Sequence, residues 1–205
     1  MRLYSNANDM YSHRVSIALN IKDITAELVI VNPDNLKEEF LEVNQYASSP
    51  TLVDRELVIY NSDIILNYLD ERFPHPPLLP IEPIERTKLR GMIYRVEQDW
   101  VRLANLIGNS DNKTRVAKAK ELLTNQLIAM SPRFSENKFF GSAYISLLDC
   151  TIIPLLSRLD QLGINISAEQ APDLTAYMQR VFDLDVVKSV DEQLAPSQSI
   201  EQELG

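Results

Sequence analysis

The feature that most constrains the fold of this chain is a concentration of proline between positions 74 and 83. Five of the eleven prolines lie there, in the run Phe-Pro-His-Pro-Pro-Leu-Leu-Pro and at Pro83. Proline fixes φ and lacks a backbone N–H, so neither a helix nor a strand continues through such a segment. Residues 73–83 are therefore predicted to be a stiff linker, and 205 residues are enough for two small domains.

The segment before the linker, residues 1–72, alternates short apolar strands with amphipathic helices. The order of predicted elements is strand 1–5, helix 12–22, buried strand 26–31, a short helix around Phe40, strands 51–54 and 57–60, and helix 63–72. The last two strands are separated only by Arg55-Glu56 and form a hairpin. This order predicts an α/β domain with a mixed four-stranded sheet.

The segment after the linker, residues 84–190, has helical periodicity throughout and predicts an all-α domain. The predicted helices cover 84–107, about 116–130, 146–162 and a stretch that opens at Pro172. Ser146 and Asp149 have the spacing of a capping box, and the apolar helix after them is predicted to be the buried centre, kinked at Pro154. Residues 191–205 form an acidic tail that we expect to be mobile beyond about 195.

Composition excludes several classes of function. A net charge of -9 disfavours direct contact with a nucleic-acid backbone. Two histidines and one cysteine show no metal-ligand spacing, and five glycines form no phosphate loop, so neither a metal nor a cofactor is predicted. The single cysteine, the lack of an apolar run near 20 residues and an N-terminus unlike a signal peptide predict a cytoplasmic protein away from membranes.

Three positions in the α/β domain could hold a ligand. The entry to the first helix, Tyr11-Ser12-His13, combines a hydroxyl with a helix N-terminus that favours anions, or Ser12 is simply the N-cap. Pro50 precedes a strand and could be cis, which would expose the preceding backbone to an extended peptide, or it could be trans. Asn61-Ser62 could bind a carboxylate at the next helix N-terminus, or merely cap that helix.

The linker and the helix after it offer surfaces for a partner. Pro74-His75-Pro76-Pro77 is a rigid exposed segment suited to docking, or a hinge with an incidental histidine. Lys88, Arg95 and Arg102 are seven residues apart and share one helix face, which is a solvated face, a dimer interface or a contact for an acidic partner. Cys150 lies on the buried helix and is interpreted as a structural thiol.

The order of elements, together with Pro50, Ser62 and the Ser146/Asp149 capping box, resembles the glutathione-transferase superfamily over residues 1–190. That resemblance implies a thioredoxin-like N-terminal domain and an all-α C-terminal domain. Pro50 and Ser62 match the glutathione contacts of the superfamily, and Ser12 matches a catalytic hydroxyl. Asn61 stands where active members carry Glu, Gln or Asp, and an amide accepts a weaker hydrogen bond from an ammonium group.

A narrower resemblance is to the stringent starvation protein A family. It is carried by four runs of sequence: Pro50–Leu57, Tyr68–Leu78, Arg95–Trp100 and Tyr177–Phe182. Members of that family are bacterial regulators that bind RNA polymerase holoenzyme carrying the primary sigma factor in starvation, stationary phase and acid stress. The resemblance implies a homodimer without transferase activity. A separate hypothesis is a scaffold that partners a related paralogue as a heterodimer.

The same resemblance implies which residues bind the partner. The functional patch of the family falls here on Pro74, His75 and Pro76, with Pro77 beside them and Tyr94 on the neighbouring helix. The alternative is a glutathione-dependent transferase or isomerase that uses Ser12, Pro50 and Ser62.

Overall fold

The computed structural model describes residues 1–194, apart from the side chain of Asp191. The chain forms two compact units: residues 1–68 with 185–194, and residues 69–184. The first unit contains β1 (Arg2–Ser5), β2 (Glu27–Ile30), β3 (Thr51–Asp54) and β4 (Leu57–Tyr60) in the order β2-β1-β3-β4. Only β1 and β2 are parallel, which confirms the mixed four-stranded sheet.

The register of the sheet aligns one row of apolar side chains. Leu3 pairs with Leu52, which pairs in turn with Ile59, and all three are buried. Because directly paired residues face the same side of a sheet, this row forms one buried face of the sheet. Arg55 has a φ of 57° in the tight turn that joins β3 to β4. The prediction of a buried strand at 26–31 was wrong, since β2 is an edge strand with both of its end residues exposed.

Four helices belong to the first unit wholly or in part: α1 (Met10–Ile21), α2 (Glu38–Val43), α3 (Ser62–Arg72) and α9 (Asp185–Leu194). The residues of α3 from Leu69 onward belong to the second unit. Asn20 on α1 donates through Nδ2 to the Val186 carbonyl at 3.2 Å and to Ser189 Oγ at 2.8 Å on α9. The first four residues of the predicted tail, 191–194, therefore belong to a helix anchored to α1, and residues 195–205 lie outside the described residues.

The second unit contains α4 (Pro83–Val96), α5 (Arg102–Asn109), α6 (Lys113–Met130), α7 (Leu147–Leu156) and α8 (Pro172–Phe182). Every residue of α7 is buried, which confirms the predicted central helix. The helix ends at Leu156 and not near 162, because the next backbone bonds tighten: Arg158 N donates to the Leu155 carbonyl and Leu159 N to the Leu156 carbonyl.

The single long helix predicted over 84–107 is interrupted. A π turn at Glu97–Val101 separates α4 from α5, and Arg102 N donates to the carbonyl of Glu97, five residues back. The extra residue brings two successive side chains, Trp100 and Val101, to the buried side of the helix. Periodicity did not reveal this turn, because apolar spacing does not distinguish a single π turn from a continuous α-helix.

The capping box of α7 is present and is the centre of a buried polar cluster. Asp149 Oδ2 accepts from Ser146 N at 2.9 Å and from Ser146 Oγ at 3.0 Å. Its Oδ1 accepts from the Tyr177 hydroxyl at 2.7 Å and from Phe140 N at 3.0 Å. Burial raises the pKa of Asp149 despite these donors, and burial beside Asp149 raises the pKa of Tyr177. One carboxylate therefore fixes α7, α8 and the loop before α7.

Candidate functional site

The proline segment lies on the surface of the second unit and is anchored at one end. Pro74, His75, Pro76 and Pro77 are all exposed, and the His75–Pro76 bond is cis. Leu78, which follows them, is buried. Its N–H donates to Asp70 Oδ1 at 2.8 Å, and its carbonyl accepts from Leu147 N at 2.9 Å. The segment is therefore held to both α3 and α7, so its exposed prolines are presented in a fixed conformation.

A groove of about 1090 Å³ runs beside this segment. Pro76 and Pro77 form one wall, Lys88 and Met92 of α4 contribute another, and residues 138–146 close the far side. Pro74 and His75 do not line the groove, although both are exposed and directly precede Pro76 in its wall. The structure thus places the predicted patch at the edge of a concave surface that is larger than the patch.

The groove combines apolar surface with positive charge. Ile81 and Tyr144, which both line it, are 78% and 79% exposed. Lys138 Nζ lies 5.5 Å from the centroid of the Phe139 ring, and Lys88 Nζ pairs with Glu85 Oε1 at 2.8 Å. The lining contains two lysines and one glutamate, so its net charge is positive, whereas the net charge of the whole chain is -9. Such a surface is suited to an acidic segment with apolar side chains.

Tyr94, the other residue predicted for the patch, is 66% exposed on α4 but does not line the groove. It is two residues beyond Met92 and six beyond Lys88. At 100° per residue these separations place it on the far side of the helix from both. Its predicted role in partner binding therefore needs a surface outside the groove.

At the start of α1, the chain itself fills the position where an anion would bind. The sequence suggested Ser12 as the N-cap, but the N-cap is Asp9. The carboxylate of Asp9 accepts hydrogen bonds from Tyr11 N at 3.1 Å and from Ser12 N at 2.9 Å. Ser12 is buried, donates through Oγ to Asp9 Oδ2 at 2.9 Å and accepts from Asn6 N at 3.1 Å. Aspartate is a preferred N-cap residue, and its place before the apolar run was the signal that could have identified it.

The N-terminus of α3 is occupied in a similar way. Asn61 has a φ of 78°, and its Oδ1 caps the helix by accepting from Asp63 N at 2.9 Å. Ser62 is buried and accepts a hydrogen bond from Nη2 of Arg14, which also pairs with Asp63 Oδ1 at 2.9 Å. The side chain of Arg14 is only 4% exposed. Sequence reasoning missed this arginine, although a charge within the apolar face of a helix requires a partner.

Pro50 is buried, and its bond to Ser49 is cis, one of the two alternatives left open by the sequence. The loop before it is cross-linked by Asn44, whose Nδ2 donates to Ser48 O at 3.0 Å and to Thr51 Oγ1 at 2.8 Å. Pro50 directly precedes β3, Ser12 lies in the first turn of α1, and Asn61 and Ser62 lie at the N-terminus of α3. The three polar residues of this set already have hydrogen-bond partners within the chain.

Within residues 1–194, no group of three or more His, Cys, Asp or Glu side chains is arranged to hold a metal ion. Over the same range, none of the helices combines the length and the apolar character needed to cross a membrane.

The class of protein follows from the fold. Residues 6–77 match the N-terminal domain family of glutathione S-transferases, and residues 85–185 match the C-terminal domain family. The structure resembles glutathione transferase Omega 3C from Trametes versicolor, with a TM-score of 0.81, 22% identity and coverage of 92% of this chain and 87% of that one. For the beta class enzyme of Sphingomonas chungbukensis the TM-score is 0.83 at 19% identity, with coverage of 95% and 99%. The chain thus has the glutathione-transferase fold, which confirms the predicted fold class.

Within that fold, sequence similarity identifies a narrower group. The stringent starvation protein A homolog of Haemophilus ducreyi is 44% identical over 185 residues, which cover 90% of this chain and 86% of that protein. The homolog of Coxiella burnetii is 39% identical over 189 residues, which cover 92% and 90%. The chain belongs to the stringent starvation protein A family, and the narrower resemblance is confirmed.

Proposed function

We propose that this protein is a transcription regulator that docks on RNA polymerase holoenzyme carrying the primary sigma factor during starvation, stationary phase or acid stress. The docking surface is the groove together with the exposed segment Pro74-His75-Pro76-Pro77. The observation that carries the proposal is the anchoring of this segment by Leu78, which holds exposed prolines at the rim of a groove of about 1090 Å³.

The chemistry of the groove supports a protein ligand over a small substrate. Proline, tyrosine and isoleucine side chains at the rim lose little conformational entropy on burial compared with long flexible side chains. Lys138 supplies the net positive charge of the groove on an otherwise acidic chain, since Lys88 is paired with Glu85. We therefore expect the polymerase to contribute a segment that combines apolar side chains with at least one carboxylate.

The alternative function, a glutathione-dependent transferase or isomerase, has less support. Its candidate hydroxyls are engaged by neighbouring side chains: Ser12 by Asp9, and Ser62 by Arg14. Asp63 is paired with Arg14 as well. A ligand at either helix N-terminus would have to displace these charged contacts, which costs more than replacing water.

The remaining properties follow from the proposed partner. We propose that the protein acts in the cytoplasm, forms a homodimer or a heterodimer with a paralogue, and contacts no nucleic acid directly. Light scattering on the purified chain, alone and mixed with a paralogue, tests the oligomeric state. A monomer in both samples would contradict it.

Two variants test the docking surface with purified holoenzyme. One replaces Pro74, His75 and Pro76 with alanine, and the other is Lys138→Glu, which reverses a charge at the groove. We expect the triple replacement to abolish measurable binding and Lys138→Glu to weaken it about tenfold or more. Affinity is measured by the mobility of labelled protein as holoenzyme is titrated.

The matched control for charge reversal is Lys118→Glu on α6, an exposed lysine outside the groove lining. It should leave the affinity unchanged. If the triple replacement and Lys138→Glu both bind holoenzyme like the unaltered protein, while melting at the same temperature, the assigned surface is wrong. Tyr94→Ala shows whether the contact extends around α4.

A further inference from the structure

A second cavity in the second unit lies beside the docking groove. It has a volume of about 570 Å³ and lies between α4 with its π turn, α6, and the loop that follows α6. Trp100, Phe140, Met92 and Met130 provide its apolar lining. Pockets of roughly 300–1,000 Å³ are the usual size for small-molecule sites.

The polar lining of this cavity contains groups without partners. The Oε1 atom of Gln126 is buried and has no hydrogen-bond partner among the described residues. Arg95 and Asp99 also line the cavity, and within residues 1–194 neither forms an ion pair or a side-chain hydrogen bond. By contrast, the second arginine of the lining is already neutralised by Glu136, since Arg133 Nη1 lies 2.7 Å from Glu136 Oε1. A buried acceptor without a donor is rare in folded proteins and calls for an explanation.

Arg95 precedes the π turn and Asp99 lies within it, and both residues are exposed. Arg95 and Asp99 are four residues apart, the spacing at which opposite charges pair along a regular α-helix. The π turn begins at Glu97, between them, and changes the angular spacing of the residues. Short π segments of this kind occur frequently at functional sites. One cation and one anion are thus exposed at a cavity that also contains an unsatisfied amide oxygen.

The loop wall of the cavity keeps its shape through a glycine. Gly141 has a φ of 70°, and a Cβ built on it would lie 2.8 Å from Cε of Met92. The terminal methyl group of Met92 therefore occupies the space that the Cβ of any other residue at position 141 would need. Both residues line this cavity and the docking groove, so Met92 is a flexible wall between the two.

We propose that this cavity binds a small amphipathic molecule with a planar apolar body, one anionic group and at least one N–H donor. The anionic group would pair with Arg95, the N–H would donate to Gln126 Oε1 or Asp99, and the apolar body would lie against Trp100 and the methionines. This assignment satisfies Arg95 and at least one of the two acceptors. It does not depend on polymerase binding.

Anilinonaphthalene sulfonate is a suitable probe because it has an aromatic body, a sulfonate and one N–H, and it fluoresces in apolar surroundings. We expect saturable binding with one probe per chain. Arg95→Gln should weaken it about tenfold through loss of a charged hydrogen bond. Ala129→Leu, which adds volume at an exposed lining position, should weaken it at least as much.

Two control variants make the test specific. Arg102→Gln removes an exposed arginine outside the cavity, and Lys138→Glu alters the docking groove; both should leave the affinity for the probe unchanged. Absence of saturable binding, or binding that neither Arg95→Gln nor Ala129→Leu affects, would overturn the assignment. Binding blocked by Ala129→Leu but insensitive to Arg95→Gln would refute the anionic class of ligand.

Discussion

Replacing Asp149 with alanine should be one of the most damaging single substitutions in the second unit. Its carboxylate is fully buried and accepts four hydrogen bonds, from Phe140 N, the Tyr177 hydroxyl, and both N and Oγ of Ser146. In Asp149→Ala the two backbone N–H groups and the phenol lose their acceptor without gaining water. The Ser146 hydroxyl can rotate toward another acceptor.

The magnitude follows from those three orphaned donors. Each buried polar group left without a partner costs about 1–3 kcal/mol, and partial relaxation shares some of that cost. A loss of about 3–6 kcal/mol in the free energy of unfolding is expected. Because small proteins are stable by only about 5–15 kcal/mol, the variant should be close to the limit of folding. Asp149→Asn retains one acceptor oxygen and should lose roughly half as much.

Urea denaturation followed by circular dichroism measures these differences. The matched control is Asp173→Ala, since Asp173 also lies in the first turn of a helix but is not buried. Only its interaction with the helix dipole is lost, about 0.3–1 kcal/mol. If Asp149→Ala costs no more than Asp173→Ala, the cluster does not stabilise the unit as argued. Asp149→Asn keeps the comparison measurable if the alanine variant does not fold.

Further predictions concern pH, backbone conformation and ligand binding. Burial raises the pKa of Asp149, so above its ordinary pKa of 3.8 the folded chain keeps a proton that the unfolded chain releases. The free energy of unfolding should therefore fall as the pH rises from about 3.8 to the raised pKa of the folded state. Urea denaturation at a series of pH values would refute this if the free energy of unfolding depended on pH equally in the unaltered protein and in Asp149→Asn. Gly91→Ala, at an open helical position, should stabilise the protein by about 0.5–1 kcal/mol. Gly141→Ala should destabilise it, because position 141 has a positive φ and an added Cβ would contact Met92. Equal melting temperatures for the two variants would contradict these predictions. Millimolar glutathione should leave the melting temperature of the protein unchanged, since Asp9 and Arg14 already engage Ser12 and Ser62; a clear rise would revive the transferase alternative.

The fold was largely predictable because its signals are local. The hairpin strands at 51–54 and 57–60, Pro172 as the first residue of a helix, and the Ser146/Asp149 capping box each depend on residues close together in sequence, and the structure has all of them. The π turn at Glu97–Val101 was not predicted, because apolar periodicity does not distinguish one π turn from a continuous helix. The edge position of β2 depends on strand order, which hydropathy does not report.

The candidate site was predictable only in part. Pro76 and Pro77 were identified from the linker composition, but the opposite walls of the groove, around Lys88 and Lys138, come from segments far apart in sequence. The engagement of Ser62 by Arg14 joins residues 48 positions apart, and no local pattern links them. Asp9 was the exception, since an aspartate before an apolar helix is a local capping signal that was assigned to Ser12 instead.

The most direct test of the docking surface is hydrogen exchange of the full chain, alone and with saturating holoenzyme that carries the primary sigma factor. If the groove is the contact, the backbone amides of residues 138–144 and of Ile81 should exchange more slowly in the complex. The loop at 110–112, outside the groove lining, should be unaffected and serves as the internal reference. Slower exchange confined to other segments, with unchanged rates at 138–144 and Ile81 in a saturated complex, would contradict polymerase docking at the groove.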